Sequence, residues 1–373
     1  MKNKTKYILG TLLLALILTG LYYSQAGKVK VDTIKIGAVY PLTGQFSMYG
    51  IEFKHGVDLA VGEINENGGV KGRKLQVIFE DDNGDTGKSV TAVRKLINVD
   101  KVRYLLTGFS SPSFATAPIA EENKVVYISA TVSKIGTGNY VFKDHFDMEE
   151  AGRSIGRALL KDGVKKVGIM ALNYADTQSY IYGLKSEAKG VEFLEESFNL
   201  NDPDFKTQLT KLKAFNPQAI IVEGIPSPEI ISLTKQLRDL GLDNKRLYSG
   251  VTTYILPFIY NQNRETLIKM RVVDNNYDLD PTNIKAQEFQ TKYKKTFGGD
   301  LVMADATYTY DDIYALKEAL EKSNNIEDTK EVADNLRKVK MIGAAGELSF
   351  DSLGNSMRKT YLQTYTKNGW VKY

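Results

Sequence analysis

Apolar residues fall along this chain in two alternating rhythms. Short, nearly continuous apolar runs bounded by Gly, Pro, Asn or Asp alternate with longer stretches in which apolar positions recur every three or four residues. The first kind predicts strands buried on both faces, the second amphipathic helices. Residues 34–40 read as a strand bounded by Pro41 and Gly44. Residues 49–65 read as a helix with Phe53, Val57, Ala60, Val61 and Ile64 on one face. Gly68-Gly69 stops that helix, since glycine takes the left-handed conformation cheaply. Strands follow at 74–79, 104–107 and 125–129, separated by helices at 85–98 and 113–122. Further on, helices at 149–161, 178–189, 204–215 and 228–240 alternate with strands at 167–171, 191–196, 219–223 and 246–250. The rhythm then breaks. A strand-like crossing at 272–275 and helices at 284–296, 310–322 and 330–338 precede 346–350 and 359–366, which read as a strand pair. Asn368-Gly369 near the end is a tight-turn signal.

Regular alternation predicts an α/β fold of two open, mainly parallel doubly wound sheets, because parallel strands need crossover helices that cover their faces. The blocks 34–144 and 147–250 share one βα order, so two similar lobes are expected. Lobe 1 is expected to span 32–145 plus about 277–340, and lobe 2 146–275 plus about 341–373.

The first residues stand apart from this pattern. Lys2, Lys4 and Lys6 precede an uncharged apolar run from Ile8 to Leu21, and Ser24-Gln25-Ala26 offers small residues for cleavage. Residues 1–26 are therefore expected to be a secretory signal. The alternative is an uncleaved membrane anchor with Tyr7, Tyr22 and Tyr23 at the interface. Either way the rest of the chain is expected outside the cytoplasm. With Cys 0, lipid attachment, disulfides and thiolate chemistry are excluded. The formal charge of +4 drops to near +1 once the three leading lysines are set aside, which argues against nucleic acid as a partner.

Ligands of open parallel sheets bind beyond the carboxyl ends of the strands, in loops that lead into helices. Three such loops in the first block are Pro41 to Gly50, Gly108 to Ser113 and Ala130 to Ser133. They bring Tyr49, Ser110, Ser111, Ser113, Ala130, Thr131 and Ser133 to one sheet edge. Hydroxyls beside helix N-termini suit a carboxylate, although Ser and Thr at these positions also serve as caps. The second block offers Asn173 to Thr177, Glu223 to Ser227 and Val251 to Tyr254. Asp176 reads either as a helix cap or as a cleft acid for a ligand ammonium. Glu223 reads as a strand-end acid held by backbone amides or as a second cleft acid. Thr177 and Ser227 fall in the same loops, and Thr252 and Thr253 read as turn residues or ligand contacts.

These motifs resemble those of the branched-chain amino-acid-binding proteins of bacterial transport systems, in the type I periplasmic-binding fold. The likeness lies in Ile34 to Gly37, Pro41 to Gly44, Ala60 to Leu75, Glu80 to Asp82, Ala117 to Glu122, Ile128 to Thr131, Tyr308 to Ala315 and Gly346 to Gly354. The resemblance implies two lobes joined by three crossovers that close on a ligand. It implies that the ligand carboxylate is held by Ser110 or Ser111 and by Ala130 with Thr131 or Ser133. It also implies that Tyr49 and Asp147 belong to the site. The sequence departs from the family at three places. Asp176-Thr177 stand where a Tyr-Gly pair is usual, Pro226 and Ser227 replace tyrosines, and the acid for the ligand amine near Val251 and Thr252 is missing. Asp176 or Glu223 would have to replace that acid from another wall, since a buried ammonium without a partner is costly.

No nucleophile elbow, Walker loop or zinc-binding helix motif is present. Gly136-Thr137-Gly138 does not complete a dinucleotide fingerprint, and Asp81 to Asp85 lacks the later ligands of a calcium loop. The expectation is a non-enzymatic, monomeric binding protein without cofactor or metal. It would capture a small polar solute, an amino acid or related carboxylate or amide, and deliver it to an ABC permease. The alternative is a membrane-anchored sensor that signals through a separate chain.

Overall fold

A computed structural model describes residues 33–135, 138–225, 227–250, 265–268, 270–274, 282–299, 304–366 and 369–373. The expected signal at 1–26 lies outside these residues. No helix among the described residues is long and apolar enough to cross a membrane.

In chain order the first part runs β1 (Thr33–Tyr40), α1 (Ser47–Glu66), β2 (Lys74–Asp81), α2 (Thr86–Asn98), β3 (Tyr104–Gly108), α3 (Ser110–Glu122), β4 (Val126–Ala130) and β5 (Val141–Lys143). The second part runs α4 (Met148–Lys161), β6 (Lys166–Leu172), α5 (Ala175–Glu187), β7 (Glu192–Phe198), α6 (Lys206–Phe215), β8 (Ala219–Glu223), α7 (Pro228–Asp239), β9 (Arg246–Ser249) and β10 (Arg271–Asp274). The last part adds α8 (Ile284–Phe297), α9 (Asp305–Lys322), α10 (Thr329–Leu336), β11 (Lys340–Gly343), β12 (Gly346–Ser349), β13 (Tyr361–Thr366) and β14 (Gly369–Lys372).

The first five strands form one parallel sheet in the order β2-β1-β3-β4-β5. A second sheet has the order β14-β13-β10-β9-β8-β6-β7, parallel except for β13 and β14 at one edge. Each sheet is buried on both faces, which is why β3, β4 and β8 are buried along their whole length and mainly apolar, with Thr107, Ser129 and Glu223 as the polar exceptions. Residues from α8, α9 and α10 pack with those of α1 in the core of the first sheet.

Several boundaries depart from the sequence reading. The helix after β3 starts at Ser110 rather than 113. Phe109 there takes φ 64° and reverses the chain, and Pro112 is tolerated in the first turn because its missing N–H would have no helical partner. Helix α5 starts at Ala175, so Asp176 and Thr177 lie within its first turn. Helix α9 starts at Asp305, five residues before the expected start at Tyr310. The expected pairing of 346–350 with 359–366 is replaced. Strand β12 folds back on β11, while β13 pairs with β10 and β14. Apolar runs report burial but not the partner strand. As a result the hairpin 340–349, most of it expected in lobe 2, packs instead with the first sheet, where Ala344 and Leu348 join the core.

Helices α4 and α5 press together through glycines. A Cβ on Gly183 would lie 1.9 Å from the Glu149 carbonyl oxygen, and one on Gly152 2.0 Å from that of Tyr180. Only hydrogen fits there. Gly183→Ala is expected to cost about 1–3 kcal/mol by forcing the helices apart. Gly62→Ala, on the open face of α1, is expected to be neutral or to stabilise by up to about 1 kcal/mol. Urea unfolding of the two variants side by side checks this, and equal effects would refute the close approach.

Candidate functional site

The carboxyl ends of β3 and β4 face the N-termini of α5 and α7 across a cavity of about 90 Å³. Its walls come from both sheets: Tyr49, Ser110 and Thr131 from the first, Tyr174, Asp176 and Ile225 from the second.

On the first side, the reversal at Phe109 aims the start of α3 into the cleft. Backbone in this region is costly for a residue with a side chain and collects at functional sites. The Ser110 and Thr131 hydroxyls bond each other at 2.7 Å, and Ala130 lines the same wall. Ser111 is not among the residues that line the cavity. Ser113 does not reach the cavity. Its hydroxyl lies 2.7 Å from that of Ser129, in a buried network with Thr107, Tyr127 and Thr116 that braces the wall from behind. Asp147 is also a structural residue. It caps α4 by accepting the Glu150 N–H at 3.0 Å and does not line the cavity.

On the second side, the N-cap position of α5 is Tyr174, so the reading of Asp176 as a cap does not hold. Its carboxylate instead faces the cleft and takes a hydrogen bond from Ser133 of the other side, with the Ser110 hydroxyl nearby. Burial raises its pKa, while those two hydroxyls and Lys143 pull it back. Thr177 is buried beside it and lines the cavity. Glu223 lies at the end of β8, behind the lining. One of its oxygens accepts the Gly250 N–H at 2.6 Å, and the other has no partner among the described residues. Burial holds its pKa well above the usual range, and the nearby Asp176 pushes the same way. Ser227 sits at the N-cap position of α7 without a capping bond from its side chain. Thr252 lies outside the described residues.

Residues 33–369 match the family described as "Periplasmic binding protein". The chain belongs to that family. A Leu/Ile/Val/Thr/Ala-binding protein of Pseudomonas aeruginosa is 27% identical over 337 residues, covering 87% of each chain. The Leu/Ile/Val-binding protein of Escherichia coli is 26% identical over 340 residues, covering 87% of this chain and 88% of that one. A leucine-binding protein of Thermotoga maritima superposes with a TM-score of 0.81 at 23% identity, covering 91% of this chain and 98% of its own. A solute-binding protein of Rhodopseudomonas palustris in complex with benzoate superposes at 0.78 and 19% identity, covering 91% and 95%. These relatives are solute-binding proteins, not enzymes.

This periplasmic binding protein also lines its cleft with residues the sequence reading passed over. Asp305 opens α9, where burial raises its pKa to about 6, and it lines the cavity. It was missed because the helix start was placed five residues too late. The His145 Nε2 lies 4.0 Å from the Asp305 carboxylate. Its Nδ1 accepts the Phe146 N–H at 3.1 Å, which leaves the ring proton on Nε2. Burial first, then Lys143 and Arg358, hold His145 neutral. Phe53, Phe109, Phe146 and Tyr174 supply aromatic walls. The aromatic at 109 was visible in the sequence, but that loop was read only for its hydroxyls.

Proposed function

We propose that the chain is the extracytoplasmic solute-binding component of an ABC transport system, which holds a small organic solute between its lobes and delivers it to a membrane permease. The observation that carries this reading is the cavity whose wall is shared between the two sheets. A solute there would touch both sides at once and favour the closed arrangement by differential affinity. The relatives' ligands, branched-chain amino acids and benzoate, set the size class. No covalent step is involved, and the protein acts as a monomer without a cofactor.

The test is a thermal-shift screen of the full-length chain against amino acids, amines, small carboxylates, amides and sugars. A solute present at a hundredfold excess over its Kd stabilises the native state by about 2.7 kcal/mol, a rise of several degrees in Tm. Silence across the whole panel would overturn the reading.

A further inference from the structure

We infer that the cleft is built for a small organic cation without a carboxylate, an amine or quaternary ammonium, rather than for an amino acid. The inference rests on the solute-binding reading and narrows it.

The first argument is charge. The ionisable side chains lining the cavity, apart from the tyrosines and among the described residues, are Asp176, Asp305 and the neutral His145. No lysine or arginine is among them. Lys143, whose charge acts on Asp176, is buried with its ammonium donating to the His145 and Phe146 carbonyls at 3.2 and 2.9 Å.

The second argument is occupancy of the hydroxyls. Ser133 already donates to Asp176, and the Ser110 hydroxyl is engaged with Thr131 at 2.7 Å. A ligand carboxylate seeking them would be pressed against the Asp176 carboxylate, two like charges in a site shielded from water. An ammonium would instead find an acceptor already oriented by the Ser133 hydroxyl.

The third argument comes from groups with unused capacity. The Tyr49 hydroxyl is buried, lines the cavity and has no hydrogen-bond partner among the described residues. It offers lone pairs to an N–H donor. Close by, Asp305 accepts its own backbone N–H, with His145 at 4.0 Å. The rings of Phe53 and Tyr49 both meet Phe109 edge-on, with centroids 6.0 and 5.2 Å apart. All three rings line the cavity, and aromatic rings attract a cation that has shed its water.

The test compares matched probes on the full-length chain by calorimetry and thermal shift. Leucine carries both charges, isoamylamine the ammonium alone, and 4-methylpentanoate the carboxylate alone, all on one carbon skeleton. Choline and tyramine extend the cation set. At least one cation is expected to bind roughly tenfold tighter than leucine, and 4-methylpentanoate not at all. Asp176→Asn and Asp305→Asn should each weaken that cation by roughly 30-fold or more while keeping a cooperative melting transition. Tighter binding of leucine or 4-methylpentanoate, or cation binding unchanged in both variants, overturns the inference and leaves solute binding standing. If neither these probes nor the wider panel bind, both readings fall.

Discussion

Arg358→Ala is expected to cost about 3–5 kcal/mol of folding stability, the effect of stranding buried charges. The Arg358 guanidinium is buried and grips Asp144 with two bonds, Nε to Oδ1 at 2.6 Å and Nη2 to Oδ2 at 2.7 Å. Nη2 also reaches Asp311 Oδ2 at 3.1 Å, Nη1 donates to the Ala345 carbonyl at 3.1 Å, and the plane lies over Tyr308. Both acids are fully buried. The cluster joins two of the segments that pass between the sheets, the one after β5 and the one between β12 and β13. Backbone bonds from Lys143 N to Gly354 O and from Ser356 N to Lys143 O pair the same segments. Arg358→Lys keeps the charge but loses the two-pronged fit, so it should fall between wild type and alanine. The double variant Asp144→Asn, Arg358→Met should cost less than the sum of its parts, because each change removes what made the other harmful. Urea unfolding of wild type, Arg358→Ala, Arg358→Lys, the double variant and its two single parents measures this. A loss under about 1 kcal/mol for Arg358→Ala would mean that water reaches the pair, as it does in surface bridges.

Neither Asp144 nor Arg358 drew attention in the sequence, and the reason is general. Apolar spacing makes helices, strands and their order legible because burial dictates it. It therefore yielded the alternating elements and the doubly wound class. A charged residue inside the core carries no periodic signal, and its partner lies far along the chain, as with positions 144 and 358. The cleft was half legible for the same reason. Strand ends were found, so Ser110, Thr131 and Asp176 were found. Their roles depended on where each helix begins, and a shift of three residues turned Asp176 from a presumed cap into an acid facing the other lobe. Ser113 and Asp147 carried the right chemistry in the right loops but point away, toward the hydroxyl network and the α4 amides. Asp305 lay just ahead of a helix whose start was misplaced.

The same buried acids predict a pH dependence with an unusual sign. Burial raises Glu52 to about 7, against a hydrogen bond from Tyr293. It raises Asp305 to about 6, and Asp311 also to about 6 despite Arg358. Asp312 and Glu223 are pushed well above their usual range, also by burial first. In the unfolded chain all five ionise near pH 4. Between about pH 4.5 and 7 the native protein therefore binds more protons than the unfolded one, and stability falls as pH rises. His145 and His55 oppose this, since burial lowers both and the unfolded chain takes up their protons below about pH 6.5. Two imidazoles do not outweigh five carboxyls. The urea midpoint is accordingly expected to be higher at pH 5 than at pH 7.5. Glu223→Gln isolates one contribution. The amide oxygen can still accept the Gly250 N–H, but the group no longer titrates, so the decline should be shallower, by at most about 1.4 kcal/mol per pH unit, the weight of one proton. A midpoint that climbs from pH 5 to 7.5, or a slope the glutamine leaves unchanged, would show that these carboxyls ionise freely in the folded protein.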